Sequence, residues 1–158
     1  MSASSFSSLD SKVAEIVSRY PVSKRSAAMP VLHLIQETYG HISNEAIEWA
    51  AARLELQPVN LLELVTFYPM YRQSPVGKYH IKVCRTLPCA LGGGGALCEH
   101  LLKKLNVKLD ETTSDEKFTV SHVECIASCG TAPVIQINDD LHEGVTPQKA
   151  DEILAKCQ

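Results

Sequence analysis

Apolar residues recur at three- and four-residue steps through the first part of the chain. Val13, Ile16, Val17 and Tyr20 form one such stripe, which Pro21 closes. The stretch from Ser26 to Tyr39 repeats the pattern with Val31, Leu34, Ile35 and Thr38 and meets a helix stop at Gly40. Ser43 or Asn44 caps a third predicted helix, with Ile47, Ala50, Ala51 and Leu54 on one face. A fourth, shorter helix runs from Pro58 through Leu61, Leu62 and Val65. Four short amphipathic helices with short joints predict a small helical bundle over residues 1–76.

Beyond Gln73–Gly77 the period changes to two. Tyr79, Ile81 and Val83 alternate with His80, Lys82 and Cys84, a strand pattern. A Gly-rich turn at Gly92–Gly95 leads into a helix carrying Leu97, Leu101 and Leu105. Lys117–Glu124 reads as a second strand, Pro133–Ile137 as a third, Asn138–Asp140 as a turn and Leu141–Val145 as a short fourth strand. Thr146 then caps a last helix with Pro147 at its first position and Ala150, Ile153, Leu154 and Cys157 on its apolar face. The order β-α-β-β-β-α predicts a small α/β sandwich of thioredoxin type over residues 77–158. The fold class expected is therefore α/β, an N-terminal small helical bundle followed by a thioredoxin-like domain.

Composition narrows the function. In 158 residues, 45% are hydrophobic, which supports a packed core and excludes a disordered segment. The net charge of −3 leaves no basic stripe, so nucleic acid is not an expected partner. No apolar run approaches the roughly 18 residues of a membrane span, and no direct membrane insertion is expected. The Ser-rich start, Met1–Ser8, has neither the basic residue nor the apolar stretch of a leader, which makes the cytoplasm the expected compartment. Six cysteines in a compartment where structural disulfides are rare direct attention to metal.

Four of the six come in two pairs, Cys84-x4-Cys89 and Cys125-x3-Cys129, each expected on loops at a strand end. Adjacent strands would bring the pairs to one end of a sheet, where four thiolates suit Zn²⁺ or an iron–sulfur cluster. Structural zinc commonly uses a two-residue spacer. A plant-type ferredoxin would place its third ligand at position 92, which is Gly, and no Cys-x-His pairing suggests a Rieske centre. Glycines after Cys89, and Gly130, are expected to let backbone amides approach an anionic cluster. These residues favour a [2Fe–2S] centre. Structural zinc, a set of disulfides and unrelated buried thiols stay as alternatives, and a thiol enzyme lacks its C-x-x-C. Cys98 and Cys157 share helix faces with leucines and isoleucine and read as core.

Phe67, Tyr68, Met70 and Tyr71 form an aromatic exit from the bundle that suits either a partner contact or packing within the chain. His122 precedes Cys125 by three residues and reads as a solvent-facing strand residue, with a hydrogen bond to a cluster as the other reading. The acidic loop of Asp110–Glu116 reads as a solvated turn. The Gly run lacks the Gly-Lys-Ser/Thr of a phosphate loop, and Ser121-x-x-Glu124 precedes no helix.

Several phrases then share one resemblance. Tyr39-Gly-His-Ile-Ser43 and Val65-Thr-Phe-Tyr68 lie in the helical half. Val83-Cys84, Cys89, Gly93, Val123-Glu-Cys-Ile-Ala-Ser-Cys-Gly130, Ala132-Pro-Val134 and Ile137-Asn-Asp139 lie in the second. Over nearly its whole length the chain resembles the small iron–sulfur subunits (the E subunits) of bacterial NADH:quinone oxidoreductase, respiratory complex I. The resemblance implies a thioredoxin-like [2Fe–2S] ferredoxin domain behind the bundle, with Cys84, Cys89, Cys125 and Cys129 as ligands and no catalytic residues on this chain. It also implies a flavoprotein partner that binds FMN and NADH, and a place peripheral to the inner membrane through the complex. Soluble NAD-dependent hydrogenases and formate dehydrogenases use an equivalent subunit. A reading from another class is a zinc-stabilised interaction module. Four consecutive glycines after Cys89-Ala-Leu depart from the family pattern.

Overall fold

The computed structural model describes residues 6–157, so the greater part of the Ser-rich start lies outside the described residues. The chain divides into two units, the second beginning at Val76.

The first unit holds α1 (Asp10–Ser18), α2 (Ala28–Tyr39), α3 (Asn44–Leu54) and α4 (Pro58–Phe67). Their stripes meet in one core, where Val31, Leu32, Ile35, Ala50 and Leu61 are fully buried. Each of the larger aliphatic side chains contributes about 1.5–3 kcal/mol by leaving water. Ser43 Oγ accepts from the Ala46 amide at 3.3 Å and starts α3, while Asn60 Oδ1 accepts from the Gln57 amide at 3.3 Å behind Pro58. The predicted second helix begins two residues late, because Lys24–Ala27 forms a 3-10 turn first. The aromatic exit is partly internal. Tyr71 is buried and donates from its hydroxyl to the Met29 carbonyl at 3.2 Å, and Gln36 ties the Met70 carbonyl and the Arg72 amide to α2. Tyr68 packs on the same core, whereas Phe67 is 77% exposed.

The second unit is a four-stranded sheet with helices. It contains β1 (Tyr79–Cys84), α5 (Leu87–Leu91), α6 (Gly94–Leu105), β2 (Phe118–Val123), β3 (Ile135–Ile137), β4 (Asp140–His142) and α7 (Pro147–Lys156). The strand order is β2-β1-β3-β4, with β1 parallel to β2 and antiparallel to β3. Ile81, Val83, Val120, Ile135 and Ile137 meet Leu97 and Leu101 of α6 and Ala150 and Leu154 of α7 in the core. This is a thioredoxin-like α/β architecture. Among the described residues no helix is long and apolar enough to cross a membrane.

Three predicted elements change. Part of the expected glycine turn is helical, since α6 begins at Gly94. The third strand loses Pro133 and Val134, whose carbonyls bond instead to the Val145 and Cys84 amides. The fourth starts one residue early, taking Asp140 from the expected turn, and ends at His142, because Gly144, at φ +54°, turns its amide to the Thr131 carbonyl at 2.6 Å. In the acidic loop the carboxylates are exposed, but Thr112 turns inward and bonds Thr119 at 2.7 Å.

Candidate metal centre

The parallel pairing of β1 with β2 sets Cys84 opposite Val123. Cys84 is the last residue of β1, and Cys125 follows β2 by two residues, so both leave the sheet at the same end. Cys89 is not on a loop: it lies within α5, one helical turn that starts after Thr86 with Pro88 in its first positions. Cys129 opens a 3-10 turn, Cys129–Thr131. Cys84 and Cys89 are 3% and 2% exposed, whereas Cys125 and Cys129 are open to solvent.

Polar groups surround these sulfurs. Burial pushes the Cys84 thiol up, but Thr86 Oγ1 at 3.3 Å, the amides of Thr86 and Ile126 and the Cys89 thiol outweigh it and bring the group below its ordinary value. Cys84 Sγ also lies 3.1 Å from the Glu124 carbonyl. Cys89 moves the other way. Burial raises it first, its bond to Cys84 adds to that, the Val134 amide opposes, and charge on Cys84 and Cys129 raises it further. At Cys125 the Ala127 amide donates to Sγ at 3.3 Å, with Ala127 at a left-handed φ of +61°. The structure thus joins Cys84 to Cys89 by a hydrogen bond and brings Cys129 into electrostatic reach of Cys89, while Cys125 is held within its own loop. Among the described residues no three His, Cys, Asp or Glu side chains converge on a single point. A binuclear cluster takes four thiolates as two pairs, one per iron, and the two cysteine pairs at this end of the sheet offer that donor set.

Glycine shapes the site through close backbone approach. Amides of Thr86, Ile126, Ala127 and Val134 are directed at sulfur. Gly94 is needed because a Cβ there would meet the Cys89 carbonyl oxygen at 2.8 Å and that of Cys84 at 3.1 Å. Without a side chain, the start of α6 sits directly on the main chain of both inner cysteines. Gly93 precedes it at φ +97°, whereas Gly130 has no neighbour within 4 Å of a Cβ position.

The two strand ends are also tied across. Arg85 Nε donates to Glu124 Oε1 at 2.8 Å, Arg85 Nη2 reaches the same oxygen, and the Arg85 amide donates to the Val123 carbonyl at 3.1 Å. His122 is exposed and its Nε2 lies 4.0 Å from Cys98 Sγ. Cys98 itself is 4% exposed within the sheet core, where burial pushes its thiol up, and Cys157 packs half-buried against the same core. Sequence reasoning missed α5 and the sulfur contacts of Thr86. Thr86-Leu87-Pro88 does carry a helix-start signal, a Thr followed by Pro at the first turn. Leu87 and Leu91, four residues apart on α5, are 71% and 80% exposed.

The profile of the thioredoxin-like [2Fe–2S] ferredoxin family matches residues 13–158. The E subunit of NADH-quinone oxidoreductase from Rickettsia conorii is 46% identical over 146 residues, covering 91% of this chain and 87% of the relative. The "E 2" subunit of NADH-quinone oxidoreductase from Rhizobium meliloti is 39% identical over 136 residues, covering 86% and 80%. In fold, the chain is similar to part of an NAD+-reducing [NiFe]-hydrogenase chain, with a TM-score of 0.68 and 21% identity over 81% of this chain and 22% of the other. The matched span and these identities show that the chain belongs to the thioredoxin-like [2Fe–2S] ferredoxin family.

Proposed function

We propose that the chain is an electron-transfer subunit in the NADH-oxidising module of an NADH-quinone oxidoreductase, with Cys84, Cys89, Cys125 and Cys129 as the ligands of one [2Fe–2S] cluster. Such a cluster, when bound, supplies a one-electron couple that can be matched to the FMN of a partner flavoprotein. The observation that carries this reading is the set of backbone amides directed at the thiols: Thr86 and Ile126 at Cys84, Val134 at Cys89 and Ala127 at Cys125. N–H dipoles aimed at sulfur favour the thiolate form and the added negative charge of a reduced centre.

The remaining residues suit the same task. Cys84 and Cys89 sit out of water, so that side is shielded. The guanidinium of Arg85, the residue after Cys84, is engaged by Glu124. In this reading the chain supplies no acid, base or nucleophile, and the hydride chemistry of NADH and FMN belongs to the partner. The relatives' name, the E subunit of NADH-quinone oxidoreductase, supports assembly into a larger complex; in this reading that complex holds the chain peripherally at the cytoplasmic side of the inner membrane. Exposed Leu87 and Leu91, on the helix that carries Cys89, offer an apolar surface for that assembly. The cluster is assigned to residues 77–158, with the helical bundle of 1–76 as a separate domain.

The test is an iron, zinc and acid-labile sulfide assay on the anaerobically purified chain. About two irons and two sulfides per chain, with a paramagnetic signal after dithionite, are expected. About one zinc and no colour would replace this reading by a zinc-stabilised interaction module.

A further inference from the structure

Glu143 lies just past β4, and its carboxylate reaches back to the turn that carries Cys129. Thr131 Oγ1 donates to Glu143 Oε1 at 2.6 Å, and Ser128 Oγ donates to the same oxygen. The two hydroxyls flank Cys129 and lie 3.0 Å apart. These two donors hold the Glu143 carboxyl below its ordinary value. The main chain is fixed as well: the Gly144 amide donates to the Thr131 carbonyl at 2.6 Å, and Lys149 Nζ of α7 donates to the Glu143 carbonyl at 2.6 Å. Cys129 is exposed, and Gly130 beside it has open space where a side chain would stand. Neither residue is buried, and the turn is held by polar bonds: its own Thr131 amide to the Ser128 carbonyl at 3.3 Å and the clasp on Glu143.

We infer that Glu143 is the positioning residue of Cys129: one carboxylate oxygen, accepting from hydroxyls on both sides of the cysteine, sets the backbone of the 128–131 turn. This inference rests on the proposed [2Fe–2S] reading and assigns Glu143 a role in that same site. Hydrogen bonds behind a metal ligand fix its orientation, and losing them weakens metal retention.

The test compares the full-length chain with Glu143→Ala, Glu143→Gln and the double variant Ser128→Ala/Thr131→Val, all loaded with cluster. Under chelator, the Ala variant and the double variant are expected to bleach about tenfold faster than the parent or more. Glu143→Gln keeps a carbonyl acceptor and should stay near the parental rate, with an unchanged paramagnetic spectrum after dithionite, whereas the spectrum of Glu143→Ala shifts. Combining all three substitutions should add little to either set alone, because both remove the same contacts. Parental bleaching by Glu143→Ala, or a Gln variant as fast as the Ala one, would overturn the inference. A second measurement needs no cluster: in metal-free protein the Gly130 and Thr131 amides should exchange with solvent faster in Glu143→Ala than in the parent, and equal exchange refutes the clasp. Absence of iron and sulfide from the parent itself refutes the proposed function instead, so the two failures are distinct.

Discussion

Cys84 and Val123 face one another across the parallel β1–β2 ladder, which sends both cysteine pairs out of the same end of the sheet. A crossover that includes α6 separates the pairs in sequence, and the strand register removes that separation in space. Replacing Cys84 or Cys125 by Ser should therefore cost the chain its iron and visible colour. Cys98→Ser and Cys157→Ser, on helix faces in the core, should leave both intact. Bleaching by Cys98→Ser, read from the visible spectrum and bound iron, would refute the ligand set.

Two adjacent glycines should respond in opposite directions. A Cβ at Gly94 meets main-chain carbonyls at 2.8 Å and 3.1 Å, while Gly95, also in α6, has nothing within 4 Å. Gly94→Ala is expected to destabilise by about 1–3 kcal/mol, as overpacking does, and to weaken cluster retention. Gly95→Ala should stabilise by about 0.4–1 kcal/mol by restricting the unfolded chain. Denaturant midpoints at constant slope decide both.

Ala127, in the loop between Cys125 and Cys129, occupies the left-handed region at φ +61°. An L-residue there carries a steric cost that glycine avoids. Ala127→Gly should gain up to about 1 kcal/mol without disturbing the amide directed at Cys125. A loss of stability in thermal melts would count against the loop geometry.

Burial, with a smaller contribution from Tyr68, pushes the Tyr71 phenol up from 10.0 to about 12. The folded state thus holds the phenol proton more tightly than the unfolded state. Its contribution to stability is complete below pH 10 and is lost as pH rises through about 12. Ultraviolet titration should show one late tyrosine that Tyr71→Phe removes. The same variant loses the bond to the Met29 carbonyl, at a cost of about 0.5–1.5 kcal/mol. An unchanged titration curve would contradict the buried placement.

Periodicity carries far where one face of an element is buried along its whole length. The stripes of Val31 and Ile35 in α2, Ile47 and Leu54 in α3 and Ile81 and Val83 in β1 all meet cores, so their alternation can be read directly. Around the cysteines it fails, because local order there comes from single hydrogen bonds. Val134 leaves the predicted third strand to give its carbonyl to the Cys84 amide and its own amide to Cys89. The five residues of α5 are too few to show a helical period, and Gly94 looks like a turn residue until the carbonyls beneath it are seen. The cysteine spacing reveals chemistry but not which amides serve it: the helix-start signal at Thr86 marks an element and not a sulfur contact, and Ala127 carries no motif of its own.

The contrast between two sheltered cysteines and two open ones gives the site an inside and an outside. An oxidant diffusing in from bulk water reaches the exposed thiols of Cys125 and Cys129 before the buried pair.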